Sequence, residues 1–522
     1  MLFWWKQILI FFHFIVILIS AVDKYPQYSE GYSLDIPVDH FAYIISDTFK
    51  IRYFYNLTFY KPDGPIFFYP GNEGSLEVFA DNTGIIWDLA PQFNAAVIFI
   101  EHRYWGKSLP YGNDSFTSLS RIGHMTSIQA IADFAIILPW FKQIYSISED
   151  SKIIAIGGSY GGMLAAWMKL KYPALIHGVW ASSAPVVWFN GGGTPLGGYG
   201  NRVQKAFEFL GCNPGILFDG FNAISSLGKD DSGRQKLTNI FNINPKTPLN
   251  SEDDVKKLLT FVQTAIENLA MTNYPYPTAF LTSLPAWPVK VACSFIQKSP
   301  TNPTTEVLAN LMKNISKIYF PANLTCLDAM ICGNPENPKF ADVWDFQKCT
   351  EIIIELCPMG PSNDFFPMLC NDRNSFLKTR KEFCLNNYKH LGWTENLMRE
   401  NAIQETYGWD FTQSSNIIFT DGTIDPWGAG GVTNNTPGIA DGQKRQIFNF
   451  IIEGSAHHLD LRQPSSCDPE NIKNVRYQIV QILKTWLDPS LPPYIPKTLP
   501  PFAFSNVTDC KYLYNQYPWN LK

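Results

Sequence analysis

Ile153-Ile154-Ala155-Ile156-Gly157-Gly158-Ser159-Tyr160-Gly161 decides how the rest of this chain is read. A short apolar run closed by glycine reads as a buried strand, and residues 163–171 behind it carry helix-forming side chains. Gly-x-Ser-x-Gly between a strand and a helix is the pattern of a nucleophile elbow, a strained turn that lifts a serine hydroxyl above the end of a sheet. Glycines flank the serine there because a Cβ would meet the crossing backbone. Five residues with three fixed also recur by chance. The reading therefore requires an acid and then a histidine further along the chain.

Working outward, apolar runs at 65–69 and 95–100 precede the elbow and read as strands. Between the second run and the elbow lies a helical stretch that opens on Thr126-Ser127-Ile128-Gln129, a capping-box pattern, and continues through Ala130, Phe134, Ile137 and Trp140. Strand, helix, strand, elbow, helix is the rhythm of a parallel sheet covered by helices. After Ser182-Ser183-Ala184-Pro185 a glycine-rich connector runs over 191–200, and the chain beyond it is helical and rich in cysteine. Its clearest helix takes Ser251 as N-cap, has Glu252, Asp253 and Asp254 in the first turn, and carries Val255, Leu258, Leu259, Val262, Ile266 and Leu269 on one face. Strand signals resume at Asn416-Ile417-Ile418-Phe419 and at 447–452. A helix with Ile472, Val475, Ile479, Ile482, Leu483 and Trp486 inward follows. The expected class is α/β, a mainly parallel sheet interrupted by a helical insert. The expected divisions are a leader at 1–21, a first part of the sheet domain at 22–187, the insert at 188–400, a second part at 401–490, and a tail at 491–522.

The leader is an address rather than structure: residues 1–6 carry one positive charge, 7–19 are almost wholly apolar, and Ser20 and Ala21 offer a cleavage site. No later stretch is apolar enough to span a bilayer, so no stable span is expected once the leader is removed. Export to an oxidising compartment implies bridged cysteines, and eight of the ten fall between Cys212 and Cys384. A zinc site is the rival use of cysteine, but no paired Cys/His spacing supports one, and no metal or organic cofactor is expected. Sequons at Asn56, Asn113, Asn314, Asn323, Asn434 and Asn506 fit a secreted or lysosomal glycoprotein. A formal net charge of −5 and a pI near 5.9 argue against nucleic acid as a partner.

Both resumed strands end in residues that can complete a triad, Asp425 within Thr423-Ile424-Asp425-Pro426-Trp427 and His457-His458 after Gly454-Ser455-Ala456. Serine, aspartate, histidine is the chain order of the α/β-hydrolases, each member on a loop at a strand's C-terminal end. The hydroxyl is a poor nucleophile until an imidazole accepts its proton, and the imidazole needs a carboxylate to fix its tautomer. An anionic intermediate needs donors. The N–H of Tyr160 is one candidate, and the loop Gly71-Asn72-Glu73-Gly74, with Asn72 and Glu73 at its centre, is the other.

The chain resembles the prolyl serine exopeptidases of peptidase family S28, the family of lysosomal Pro-X carboxypeptidase and dipeptidyl peptidase II. The resemblance is carried by Tyr69-Pro70-Gly71-Asn72-Glu73-Gly74, Glu101-His102-Arg103-Tyr104-Trp105-Gly106-Lys107-Ser108, Asn273-Tyr274-Pro275-Tyr276-Pro277, Leu284-Pro285-Ala286-Trp287-Pro288, Asp425-Pro426-Trp427 and His457-His458-Leu459-Asp460-Leu461-Arg462. It implies an α/β-hydrolase fold with a helical cap over the active site. It also implies catalytic Ser159, Asp425 and His457, the first histidine of its pair, and a proline pocket lined by Met163 and Trp427. Disulfides Cys212 with Cys293 and Cys349 with Cys384 are implied in the same way, while local spacing suggests Cys326 with Cys332 and leftover count suggests Cys467 with Cys510.

Two departures from the family pattern stand near the site. Asp421 replaces an asparagine and reads as a turn residue before Gly422, and one extra residue precedes His457. His102 and Arg103 read as structural. Expected partners are proline-containing peptides, with a homodimer left open. Trp287 and the general likeness point to release of a C-terminal residue, as in the carboxypeptidase. Cys326-Leu327-Asp328-Ala329-Met330-Ile331-Cys332 resembles a dipeptidyl peptidase loop in which Asp328 would bind the substrate's ammonium, so both directions stay open. A catalytically inactive secreted scaffold and a lipase or esterase are the remaining alternatives.

Overall fold

A computed structural model describes residues 28–321, 323–332 and 338–519; the expected leader at 1–21 lies outside them. Strands β1 (Ser29–Tyr32), β2 (Arg52–Asn56), β3 (Ile66–Pro70), β4 (Ala96–Ile100), β5 (Ile153–Gly158), β6 (Ile176–Ser182), β7 (Ile417–Gly422) and β8 (Ile447–Ile452) form one sheet in the order 1-2-4-3-5-6-7-8. β2 runs antiparallel to both β1 and β4, and every other neighbouring pair is parallel. β3, β4, β5 and β7 are buried along their whole length, which is why they read as unbroken apolar runs rather than as alternation. The helix Tyr160–Lys171 packs against β5 and β6, and Trp486 of the helix Glu470–Leu487 presses on β6 so closely that a Cβ on Gly178 would stand 2.5 Å from its ring. This is the α/β-hydrolase architecture, with the ends of β5, β7 and β8 on adjacent loops.

The sheet is interrupted between Ser182 and Ile417 by helices, among them Gly198–Phe209, Pro214–Leu227, Glu252–Met271, Pro288–Gln297, Thr305–Tyr319 and Arg373–Tyr388. Glu252–Met271 begins as expected: the Ser251 hydroxyl accepts from the Asp254 N–H and the Asp254 carboxylate accepts from the Ser251 N–H. Val255, Leu258, Val262, Ile266 and Leu269 are buried, with Leu259 at the half-buried edge of the face. Thr126 behaves differently. It accepts from the Gln129 N–H, but the Gln129 amide is engaged by Asp39 and by the His40 N–H, so the reciprocal half of a capping box is not made.

All ten cysteines are paired, Cys212 with Cys293, Cys326 with Cys332, Cys349 with Cys384, Cys357 with Cys370 and Cys467 with Cys510. The first four staple the insert, and the last fastens the C-terminal segment. That segment is docked rather than trailing: Trp519 is buried and donates its indole N–H to Asp88, whose other oxygen accepts from the Asn515 N–H. Of the sequon asparagines, Asn56 is half-buried and Asn113, Asn314, Asn323, Asn434 and Asn506 are exposed. Among the described residues no helix is long and apolar enough to cross a membrane.

Asp460 ties the loop after β8 to the sheet. Its buried carboxylate accepts from the Ser182 hydroxyl at 2.6 Å, the Thr420 hydroxyl at 2.6 Å and the Trp180 indole at 3.0 Å. Asp460→Ala strands three buried donors and should cost about 3 kcal/mol of stability, against about 1 kcal/mol for Thr420→Val. Urea midpoints at unchanged slope check this, and equal midpoints for the two variants would refute it.

Candidate active site

β5 runs directly into the elbow, and Ser159 sits there at φ 57° and ψ −129°, a conformation non-glycine residues rarely hold. The turn survives because its surroundings admit no side chain beside the serine. A Cβ on Gly157 would stand 2.3 Å from the Gly161 carbonyl oxygen, and one on Gly161 would stand 2.2 Å from Asn72 Oδ1. The Ser159 N–H donates to the Ser182 carbonyl at 2.9 Å, pinning the turn to the end of β6. Asn72 braces it from the other side, donating from Nδ2 to the Gly158 carbonyl and accepting from the Tyr69 hydroxyl, each at 2.8 Å. The Asn72 side chain is thus committed to the elbow. What its loop can offer an oxyanion is main-chain N–H.

Asp425 caps the turn Pro426–Gly430 by accepting from the Trp427 N–H. His457 Nδ1 lies 3.0 and 2.9 Å from the two Asp425 oxygens, and both residues are buried. A carboxylate can only accept from an imidazole N–H, so this contact sets the proton on Nδ1 and leaves Nε2 as the base. The extra residue before His457 is absorbed by Gly454 at φ 68° and by the Ile424 N–H bonding the Ser455 carbonyl. His458 instead takes its N–H to the Ser183 hydroxyl and packs its ring on Phe280. Burial, then the neighbouring His457 and Arg462, push its pKa well below the ordinary value. Only one of the two histidines therefore has a carboxylate partner. Ser159 is part-exposed, and its hydroxyl is bonded to no other described residue; nucleophile–base hydrogen bonds commonly close only when substrate binds.

Residues 36–479 match the family described as serine carboxypeptidase S28. The chain belongs to this family. It is a serine-type peptidase. It is 40% identical to prolyl carboxy peptidase like protein 5 of Caenorhabditis elegans, over 90% of this chain and 91% of the relative. It is 36% identical to the lysosomal Pro-X carboxypeptidase of Bos taurus, over 86% of each, and 34% identical to that of Homo sapiens, over 88% and 90%.

Tyr160, next after the serine, anchors a buried relay that sequence reasoning missed. Its hydroxyl meets His102 Nε2 at 3.1 Å and accepts from Gln347 Nε2 at 2.8 Å; the Gln347 amide also donates to Glu351, which accepts from the Ser127 N–H and hydroxyl. Gln347 and Glu351 lie nearly two hundred residues from Tyr160 with no motif to announce them. His102 and Arg103 act as supports: Arg103 pairs with Asp133 and donates to the Val38 carbonyl. His457 is held by the insert, its N–H donating to the Met271 carbonyl at 3.1 Å and its carbonyl accepting from the Tyr274 hydroxyl at 3.0 Å. Tyr274 stands in a family motif, which was the available signal.

Trp427 reaches the site, its ring 6.3 Å from that of His457 and flanked by Trp188 and Tyr199. Met163 is buried one turn past Ser159. Asp328 lies in the loop closed by Cys326 and Cys332, and its carboxylate accepts from the Ile331 N–H. Its loop is clipped to the segment before the helix Glu252–Met271 by the Leu327 N–H on Thr247, and its charge acts on Lys257. Met271, at the far end, lies about 21 Å along the helix from Lys257. Trp287 packs on Phe502 and Phe504 of the C-terminal segment.

Asp421 is not a turn residue. It belongs to β7, because the following Gly422 serves a close approach, its Cβ position being 2.1 Å from the Ser455 carbonyl oxygen. Asp421 Oδ1 is buried without a partner, and burial followed by the charge of Asp425 pushes its pKa well above the ordinary 3.8. A raised acid stabilises the fold fully below pH 3.8 and loses that contribution as pH rises through the folded value. Asp421→Asn removes the loss, so its stability relative to the parent chain should climb from pH 4 to pH 7. Melting curves across that range check it, and a gap that stays flat or narrows would refute it.

Proposed function

We propose that this peptidase cleaves after proline and releases the C-terminal residue of its substrate by an acyl-enzyme route. The observation that carries the reading is the Asp425–His457 pair on the loops after β7 and β8, beside the elbow that presents Ser159. In this mechanism Ser159 Oγ attacks the prolyl carbonyl carbon as His457 Nε2 takes its proton, and Asp425 holds Nδ1–H and stabilises the imidazolium. The tetrahedral oxyanion is met by the Tyr160 N–H and by a main-chain N–H of the Asn72–Glu73 loop. The C–N bond breaks, His457 passes its proton to the leaving amine, and water then resolves the ester by the same steps. Trp427 offers the aromatic wall against which a proline ring packs.

The C-terminal direction is supported by the likeness to the Pro-X carboxypeptidases. No specific observation favours the dipeptidyl reading.

Ser159→Ala should lower kcat by about three or more powers of ten with the fold intact, and near-normal turnover would sink the assignment of the nucleophile. Direction is checked separately with one proline-containing peptide blocked at either end. Cleavage of the N-blocked form alone is expected. Cleavage of only the C-blocked form would overturn the carboxypeptidase reading while leaving Ser159 in place.

A further inference from the structure

Arg462 is 5% exposed, yet no carboxylate among the described residues lies within the 4.0 Å of an ion pair. Its Nη2 donates to two neutral groups, the Thr278 hydroxyl at 2.7 Å and Asn82 Oδ1 at 2.9 Å, and the guanidinium lies over the rings of Tyr274 and Phe280. Nη1 is buried with no hydrogen-bond partner among the described residues. An unpaired buried charge is costly, and the ordinary remedy is a counter-ion. Arg462 also lines a cavity of about 310 Å³ outside the site described above, together with Asp81, Tyr276, Thr278, Gln463 and Tyr512. Two further walls carry buried polar atoms without partners, the Tyr276 hydroxyl and Gln463 Oε1.

We propose that this cavity binds a small carboxylate, with the Arg462 guanidinium as its counter-ion and the Tyr276 hydroxyl as a second donor. The guanidinium fork matches a carboxylate with two parallel hydrogen bonds. Burial pushes the Tyr276 phenol up, so it keeps the proton it would donate. One guanidinium opposed by the exposed Asp81 is too little positive charge for a phosphate dianion and suits a single negative charge. A free amino acid adds an ammonium that Asp81 and Gln463 Oε1 can accept from, whereas a simple organic acid uses the donors alone. The shared chemistry is the carboxylate. Neither Arg462 nor Tyr276 takes part in the peptidase steps above, so the two readings fail independently.

The test is the melting temperature of the full chain titrated with acetate, glycine, glycinamide and inorganic phosphate at constant ionic strength, since a ligand of the folded state raises it saturably. Acetate and glycine should each give a saturable rise, and glycinamide, which lacks the carboxylate, and phosphate should give none. Tyr276→Phe keeps the shape of the wall and should weaken acetate about ten-fold; Arg462→Met should abolish the effect. No saturable rise with acetate, an equal rise with glycinamide or phosphate, or an undiminished rise in Tyr276→Phe would each overturn the proposal. The phenylalanine variant keeps the test decisive even if Arg462→Met does not fold.

Discussion

The backbone at Ser159 is the constraint on which the rest depends. A non-glycine residue held at φ 57° costs on the order of 1–3 kcal/mol, and it persists only where neighbours over-determine it. Here they do so from three sides. The Ser182 carbonyl takes the serine's N–H, Asn72 takes the carbonyl of Gly158, and the helix that follows closes over Gly157 with no room for a Cβ. Each support belongs to a different strand end, β6, β3 and β5. The sheet order 1-2-4-3-5-6-7-8 brings β3, β5 and β6 side by side at this point, so the topology and the strained turn require one another.

A second dependence runs through His457. Its ring is fixed from the sheet side by Asp425, but its backbone is fixed from the insert side, by the carbonyl of Met271 and the hydroxyl of Tyr274. Met271 also receives the Trp427 indole N–H on its sulfur, so the end of one insert helix touches both the histidine and the aromatic wall beside it. The insert is therefore part of the site's framework.

Much of this was legible because it is local. The buried strands announced themselves as unbroken apolar runs, Ser251 and Asp254 as a cap, and Ser159, Asp425 and His457 as an ordered set at strand ends. What escaped was non-local. Gln347 and Glu351 support Tyr160 across a sequence gap that no periodicity bridges, and Cys357 with Cys370 is one pairing among many that ten cysteines allow. Asp421 was misread for a different reason. Asp-Gly is a turn signature in isolation, but the glycine was needed to let the Ser455 carbonyl approach the strand, which kept Asp421 in β7.

The buried groups around the pair share one electrostatic character. Burial raises Glu73, Glu351 and Asp421 above the ordinary carboxyl values of 4.5, 4.5 and 3.8, with Asp425 adding to the rise at Asp421. Burial likewise lowers His458 well below 6.5 and His102 to about 4. The two sets oppose each other in proton linkage. The raised acids lose their stabilising contribution as pH rises above their ordinary values, and the lowered histidines lose theirs as pH falls below 6.5. The two sets therefore pull the stability of the shell around Ser159 in opposite directions as pH changes. Asp425 and His457 are paired within this buried shell, where the field of the pair on a developing oxyanion and imidazolium is stronger than it would be in water.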